Sequence, residues 1–171
     1  MTNAMRTMWC GLGVWLLGAV TPAQAVDVVT TRNVGAELAM EIAIKTMQAC
    51  RKDGYQVSVV VVDRGANVVA VLRDAYATRF TTEIARRKAN AALMGGVSTS
   101  AFAENRAGIR RDLNEIHDII VLAGGVPIQS SGSLIGAVGV SGAPGGDKDE
   151  ACAVAALEAV ADRLDFFEDD E

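Results

Sequence analysis

The sequence contains a single histidine, His117, among 171 residues. A metal site made of several histidines therefore cannot be built within one subunit. The sequence also has no Cys-x-x-Cys pair and no glycine-rich phosphate loop that ends in Gly-Lys-Ser or Gly-Lys-Thr. These absences exclude the most familiar zinc chemistries and the P-loop nucleotide-binding proteins.

Positive charge and long apolar runs are also scarce. Lysine and arginine number 16 against 21 aspartates and glutamates, a net charge of −5, so we expect no general electrostatic binding of nucleic acid. Beyond residue 25 no apolar run reaches the 18 residues of a membrane span, so we expect no membrane insertion of that part. With 50% apolar and 22% charged residues, the chain has the composition of one globular domain.

The first 25 residues have the pattern of a cleavable signal peptide. Arg6 supplies a positive start, residues 8–20 are almost entirely apolar, and Ala23-Gln24-Ala25 supplies the small residues of a cleavage site. The pattern predicts export to the periplasm or beyond, with cleavage after Ala25. We therefore expect a domain over residues 26–164, followed by an acidic tail over residues 165–171.

Two cysteines, Cys50 and Cys152, remain after cleavage. Each lies in a predicted helix, and the predicted compartment permits disulfides. Two interpretations stay open at this point: a disulfide between antiparallel helices, or two small buried thiols.

The hydrophobic pattern predicts an α+β domain. Residues 57–63 are rich in valine and favour a strand buried on both faces, and residues 64–67 turn the chain into an antiparallel hairpin partner. Helices are predicted over 33–52, 81–94, 98–105 and 147–164, and strands over 57–63, 68–73, 119–122, 126–129 and 134–141. Because strands and helices do not alternate regularly, we expect an antiparallel sheet with helices packed on it.

His117 is the first candidate ligand-binding residue. It lies in Asn114-Glu115-Ile116-His117-Asp118, just before an apolar segment. An imidazole there can ligate haem iron or transfer a proton. The alternative is an exposed loop histidine, or one that is satisfied by Glu115 or Asp118.

A glycine-rich turn, Gly142-Ala143-Pro144-Gly145-Gly146-Asp147, leads into the last predicted helix. Free N–H groups at a helix start attract anions, so a carboxylate, phosphate or propionate is a candidate ligand near Gly142, Gly145 and Gly146. Asp147 followed by Glu150 also fits a capping box, with Asp147 as the N-cap. We expect both: a capped helix and a pocket bordered by the turn.

Two basic clusters complete the set of candidates. One is Arg86, Arg87 and Lys88, and the other is Arg106, Arg110 and Arg111. Acidic neighbours make a mixed solvated surface one interpretation, and a clamp on an acidic ligand the other. The acid pairs Asp112/Glu115 and Asp147/Glu150 also offer paired oxygens to a cation.

One stretch resembles a known family. Gly124-Gly125-Val126-Pro127-Ile128, then residues 135–142, then Gly145-Gly146-Asp147 with Asp149-Glu150, together resemble the GlcG/HbpS-like haem-binding family. The segments 57–63 and 85–89 are similar in order and kind. The resemblance implies a profilin-like or PAS-like α+β domain with an antiparallel sheet of about five strands flanked by helices, and assembly into homo-oligomers.

The resemblance also implies a function. Some exported members bind haem and work beside a membrane sensor, and others lie next to catabolic enzymes. We therefore predict an exported small-ligand-binding protein with haem as the candidate cofactor, His117 as the candidate iron ligand, and contacts from Arg86, Lys88, Gly142, Gly145, Gly146 and Asp147. The alternatives are a small enzyme acting on a tetrapyrrole or a metabolite carboxylate, with Asp63, Arg86 or His117 in acid–base roles, and an oligomeric accessory protein without a ligand.

Overall fold

A computed structural model of the protein describes residues 29–165. The predicted signal peptide and all but the first residue of the predicted acidic tail lie outside the described residues. A compact unit begins at Thr31. Its elements are, in chain order, α1 (Ala36–Lys52), β1 (Ser58–Asp63), β2 (Val68–Arg73), α2 (Arg79–Gly95), α3 (Thr99–Asn105), a 3-10 turn (Ala107–Ile109), α4 (Arg110–Leu113), β3 (Gly125–Ser130), β4 (Ser133–Ser141), α5 (Gly146–Glu158) and α6 (Ala161–Asp165).

The four strands form one antiparallel sheet in the order β2-β1-β4-β3. Strand β1 is central, and Val59 to Val62 are buried, as the valine run predicts. Both hairpins, β1–β2 and β3–β4, have the predicted antiparallel pairing. The predicted α+β class is confirmed.

Helices cover both faces of the sheet. On one face α1 and α5 pack through Ile42 and Ala153 against Val59 and Val138. On the other face the alanines of α2 pack against Val60, Val62 and Ala137. The sheet is therefore the middle layer, and β1 is buried because it has helices on both sides.

The contact between α2 and the sheet requires a glycine. A Cβ atom on Gly139 of β4 would lie 2.0 Å from the carbonyl oxygen of Ala85 and 2.7 Å from the amide nitrogen of Ala89. Both atoms belong to the α2 backbone, so a side chain at this position would push the helix away from the sheet.

The predicted strand at residues 119–122 is wrong, and the described sheet has four strands instead of about five. The backbone amides of this segment form hydrogen bonds outside the sheet. The Ile120 amide donates to the carbonyl of Arg87, and the Val121 amide donates to Oδ1 of Asn114 at 2.7 Å. Ile119 and Val121 are buried against α3 and the α4 region. The apolar pattern therefore reflects burial without strand pairing.

The predicted last helix is divided in two. Helix α5 ends at Glu158, and a turn at residues 159–160 precedes α6. The turn allows Val160 and Leu164 to reach the core, and the Ser130 hydroxyl donates to the Leu164 carbonyl at 2.6 Å.

Cys50 of α1 and Cys152 of α5 form a disulfide, with their Cα atoms 5.3 Å apart. The structure thus settles the open question about the cysteines in favour of a bond between these two helices. Among residues 29–165, no helix is long and apolar enough to span a membrane.

Candidate functional site

His117 lies in the turn that follows α4, and its side chain is 93% exposed. Its Nδ1 atom lies 3.0 Å from Oδ2 of Asp118. A proton on Nδ1 that is donated to this carboxylate leaves Nε2 as the ring's acceptor, and Nε2 has no partner among residues 29–165. This is the arrangement that orients a histidine ligand toward a metal.

Asp118 anchors the turn that contains His117. It has a left-handed backbone with φ of 66°, which aspartate tolerates better than most residues. Its carbonyl accepts a hydrogen bond from Nδ2 of Asn90 at 3.1 Å, and its carboxylate pairs with Arg86. Two side chains of α2 therefore hold the turn in place.

Arg86 joins two carboxylates. It donates to both oxygens of Glu83, at 2.8 and 2.9 Å, and to Oδ1 of Asp118. These hydrogen bonds hold the pKa values of Glu83 and Asp118 below their usual range. Because two carboxylates already balance its charge, Arg86 positions the histidine turn in this structure. Its predicted contact with a ligand stays a prediction.

A cavity of about 290 Å³ adjoins the histidine. It is lined by Glu83, Arg87, Asn114, Glu115, Ile116, His117 and Asp118. Arg87 donates through its Nη2 atom to the carbonyl of Ile119 at 2.6 Å, but its buried Nε atom has no acceptor among the described residues. The cavity thus combines an imidazole, the exposed apolar side chain of Ile116 and the guanidinium of Arg87.

Lys88 lies inside the protein, on the side of α2 that faces the sheet. Its side chain is 2% exposed, and its Nζ atom donates to Oδ2 of Asp149 at 2.7 Å and to the carbonyl of Val140 at 2.9 Å. Burial raises the pKa of Asp149, and Lys88 opposes that rise. This ion pair joins α2, β4 and α5, and it leaves the ammonium of Lys88 no access to a surface ligand.

The predicted capping box at α5 is wrong. The N-cap residue is Gly145, and no side chain caps the helix. The carboxylate of Glu150 accepts instead from the backbone amides of Ser100, at 3.2 Å, and Gly124, at 3.1 Å. Glu150 is therefore committed to the start of α3 and to the segment before β3.

One backbone amide of the glycine-rich turn is bonded within the protein. Oδ1 of Asp149 accepts from the Ala143 amide at 2.9 Å, inside the turn. A Cβ atom on Gly146 would lie 2.5 Å from the Ala123 carbonyl, so close packing accounts for this glycine. The predicted contacts of Gly142 and Gly145 with a ligand stay predictions.

A groove of about 400 Å³ does border α5 beyond this turn. It is lined by Ser100, Ala123, Asp147, Glu150, Ala151, Val154, Ala155 and Glu158. Three of these side chains are acidic, which disfavours a carboxylate ligand there. Asp147, predicted to contact the cofactor, is exposed on the rim of this groove, whose lining shares no residue with the His117 cavity.

Sequence patterns did not indicate two features of the site. The buried Nε atom of Arg87 follows from the way α2 packs, which a single sequence does not show. The partnership of Glu150 with Ser100 and Gly124 joins positions far apart in the chain. Within residues 29–165, no three His, Cys, Asp or Glu side chains converge as a metal site, and the acid pairs Asp112/Glu115 and Asp147/Glu150 form no such cluster.

An antiparallel sheet with helices on both faces, and a cavity beside one exposed histidine, define a small α+β domain with a candidate ligand site. The chain belongs to the HbpS-like family, because the sequence model of that family, described as "Haem degrading protein HbpS-like", matches residues 34–158. The predicted family is confirmed.

Individual relatives agree with this assignment. Protein GlcG from Escherichia coli strain K12 is 30% identical over 105 residues, which cover 61% of this chain and 78% of the relative. The crystal structure of HbpS is 34% identical, with a TM-score of 0.74 over 82% of this chain and 99% of that one. A heme complex of PduOC, at 20% identity, has a TM-score of 0.67 over 74% of this chain and 94% of that one, and shows the shared fold.

Proposed function

We propose that the protein is an exported haem-binding protein that holds haem beside His117. The observation that carries the proposal is the geometry of this histidine. Its Nδ1 atom is held by Asp118, its Nε2 atom is free of partners among the described residues, and its ring projects from a cavity beside the exposed side chain of Ile116. Imidazole nitrogen is a common axial ligand of haem iron.

The residues of the cavity fit haem in two further respects. Haem is a planar apolar ring with carboxylates at one edge, so it needs apolar contact on its face and a donor for its propionates. Ile116 offers the first, and the guanidinium of Arg87, which lines the cavity, offers the second. Bound haem would supply an iron centre, and the protein would contribute the ligand and its orientation. The description of the family and the heme complex of PduOC support haem as the candidate cofactor.

Hemin titration tests this function. Purified protein lacking residues 1–25 should shift the Soret band of hemin saturably at micromolar concentration, and His117→Ala should abolish the shift or move it to another wavelength. Glu104→Ala is the matched control, because Glu104 is an exposed residue of α3 outside the cavity. A titration in which His117→Ala behaves like the unchanged protein would remove His117 as the iron ligand.

Export is part of the proposal. It is supported by the signal-peptide pattern of residues 1–25 and by the disulfide between Cys50 and Cys152, since such bonds persist in oxidising compartments. Fractionation of cells that express the full chain should place the protein, shortened at Ala25, outside the cytoplasm. An uncleaved cytoplasmic product would contradict export.

Homo-oligomer assembly is also proposed. It is supported by exposed apolar side chains, including Val71 of the edge strand β2 and Phe80 of α2. A membrane sensor or a catabolic enzyme as a further partner stays a prediction. Sedimentation across a range of protein concentrations measures the assembly, and a monomer throughout that range would contradict it.

Haem degradation is the second candidate function, and the description of the family favours it. Of the predicted acid–base residues, Asp63 is engaged in its own turn, where Oδ1 accepts from the amides of Gly65 and Asn67 at 2.8 and 2.9 Å. His117 has an unpartnered ring nitrogen in the described chain. Incubation of the hemin complex with a reductant and oxygen distinguishes the two functions: a stable Soret band supports binding alone, and a decaying band supports degradation.

A further inference from the structure

The groove along α5 has an apolar floor and an acidic rim. Ala123, Ala151 and Val154 form the floor, and Val154 is exposed. Asp147 and Glu158 lie on the rim, and neither has an ion-pair partner among residues 29–165. We call this surface the α5 groove. It suits an occupant that combines an apolar side chain with positive charge.

An exposed segment of the same chain has that chemistry. Residues 106–111, which we call the basic turn, carry Arg106, Ile109, Arg110 and Arg111, all exposed. Nε of Arg110 donates to the carbonyl of Val121 at 3.0 Å and so anchors the turn. Arg106 and Arg111 have no acidic partner within the described part of the chain.

The groove and the basic turn lie on one flank of the molecule. Helix α3 begins beside Ser100, in the groove, and its C-cap is Arg106. The seven residues of α3 span about 10 Å at 1.5 Å per residue. Val121, whose carbonyl accepts from Arg110 of the basic turn, is two residues before Ala123 of the groove floor. Leu122, between these two residues in the sequence, is exposed. The flank is thus acidic on one side and basic on the other, with apolar side chains between.

A surface of this kind is complementary to itself. Rotation by 180° places the basic end of one copy against the acidic end of another, and a two-fold interface uses each contact twice. We propose that this flank is an interface between two copies of the chain, in which the basic turn of each copy binds the α5 groove of the other. The proposal rests on the homo-oligomer of the proposed function and names the surface that forms it.

Each contact has a defined role in such a pair. Arg106 and Arg111 of one copy would face the unpartnered Asp147 and Glu158 of the other, and Ile109 would pack on the apolar floor. Glu150 takes no part, because its carboxylate is already bonded to backbone amides.

Exchange of charges tests the interface. Arg111→Glu and Glu158→Arg should each weaken self-association roughly tenfold or more, measured by sedimentation at low ionic strength. The double variant R111E/E158R, and an equimolar mixture of the two single variants, should recover association. Lys52→Glu and Glu37→Arg are the charge-matched controls, because both residues are exposed on α1 and belong neither to the lining of the α5 groove nor to the basic turn. Far-UV circular dichroism confirms that every variant is folded.

The outcomes separate this interface from the wider proposal. Loss in the single variants with recovery in the double variant supports it. Oligomers unaffected by either single change would overturn the interface and leave the homo-oligomer standing. Loss without recovery would also overturn it, because direct pairing of the two charges predicts recovery in the double variant. A monomer at every concentration would overturn both proposals. Hemin titration of R111E, which leaves His117 intact, reports haem binding independently.

Discussion

Replacement of Lys88 by methionine tests the buried ion pair that joins α2, β4 and α5. Methionine has a similar length and volume, so the packing of the stem is largely kept. The variant loses the charge that faces Asp149, whose carboxylate is 2.7 Å from Nζ of Lys88 in the intact protein. Removal of one partner of a buried pair costs about 3–5 kcal/mol. Because Asp149 keeps its hydrogen bond from the Ala143 amide, we expect a loss near the lower end of that range.

The pH dependence of Lys88→Met gives a second readout. Burial raises the pKa of Asp149, and Lys88 partly opposes this rise. In Lys88→Met the opposing effect is lost, so the pKa of Asp149 should rise further. A carboxyl whose folded pKa lies above its unfolded pKa favours folding at low pH, and this contribution is lost as the pH rises through the folded pKa. The free energy of unfolding lost in Lys88→Met should therefore be smaller at about pH 5 than at about pH 7.

The assay is urea unfolding followed by far-UV circular dichroism, since both tryptophans, Trp9 and Trp15, precede residue 26. The double variant K88M/D149N removes both charges and should recover much of the loss, with little dependence on pH. The reasoning is refuted if Lys88→Met loses less than about 1 kcal/mol at neutral pH and shows no change with pH.

Three other predictions concern stability and the histidine turn. The double variant C50A/C152A should lose about 4.7 kcal/mol of unfolding free energy, because the disulfide closes a loop between residues 102 positions apart. An unchanged urea midpoint would contradict this prediction. Gly139→Ala should lose about 3 kcal/mol or more in the same assay, because its Cβ atom has no room against α2, and a neutral result would show that the helix shifts freely. Arg86→Met should raise the pKa of Asp118 toward its ordinary range, measured by NMR titration of the carboxyl, and an unchanged pKa would show that Arg86 does not hold it low.

Much of the fold follows from local patterns. The valine run of β1 predicts a doubly buried strand because a strand with helices on both faces has apolar residues at consecutive positions, and the helix predicted from Ser98 is present as α3. Residues 119–122 show the limit of such patterns. Their apolar character reports burial, but the hydrogen-bond partners that distinguish a strand from a buried loop come from distant parts of the chain.

The candidate site was predictable to a smaller extent. A single histidine followed by aspartate indicates the His117–Asp118 contact, which lies between adjacent residues. The sequence predicts a ligand contact for Lys88 as part of a basic cluster, yet the residue is buried, since its Nζ atom donates to Asp149 and to the Val140 carbonyl inside the protein. Sequence spacing alone predicts that Asp147 caps α5, whereas the N-cap residue is Gly145. Such tertiary pairings depend on packing, which local spacing does not determine.

The most direct test of the central claim is native mass spectrometry of the protein purified from the compartment to which it is exported. Our account predicts that the intact chain retains a recurring additional mass equal to that of haem, and that His117→Ala from the same preparation lacks it. Protein that carries no additional mass, in cells well supplied with haem, would contradict the account.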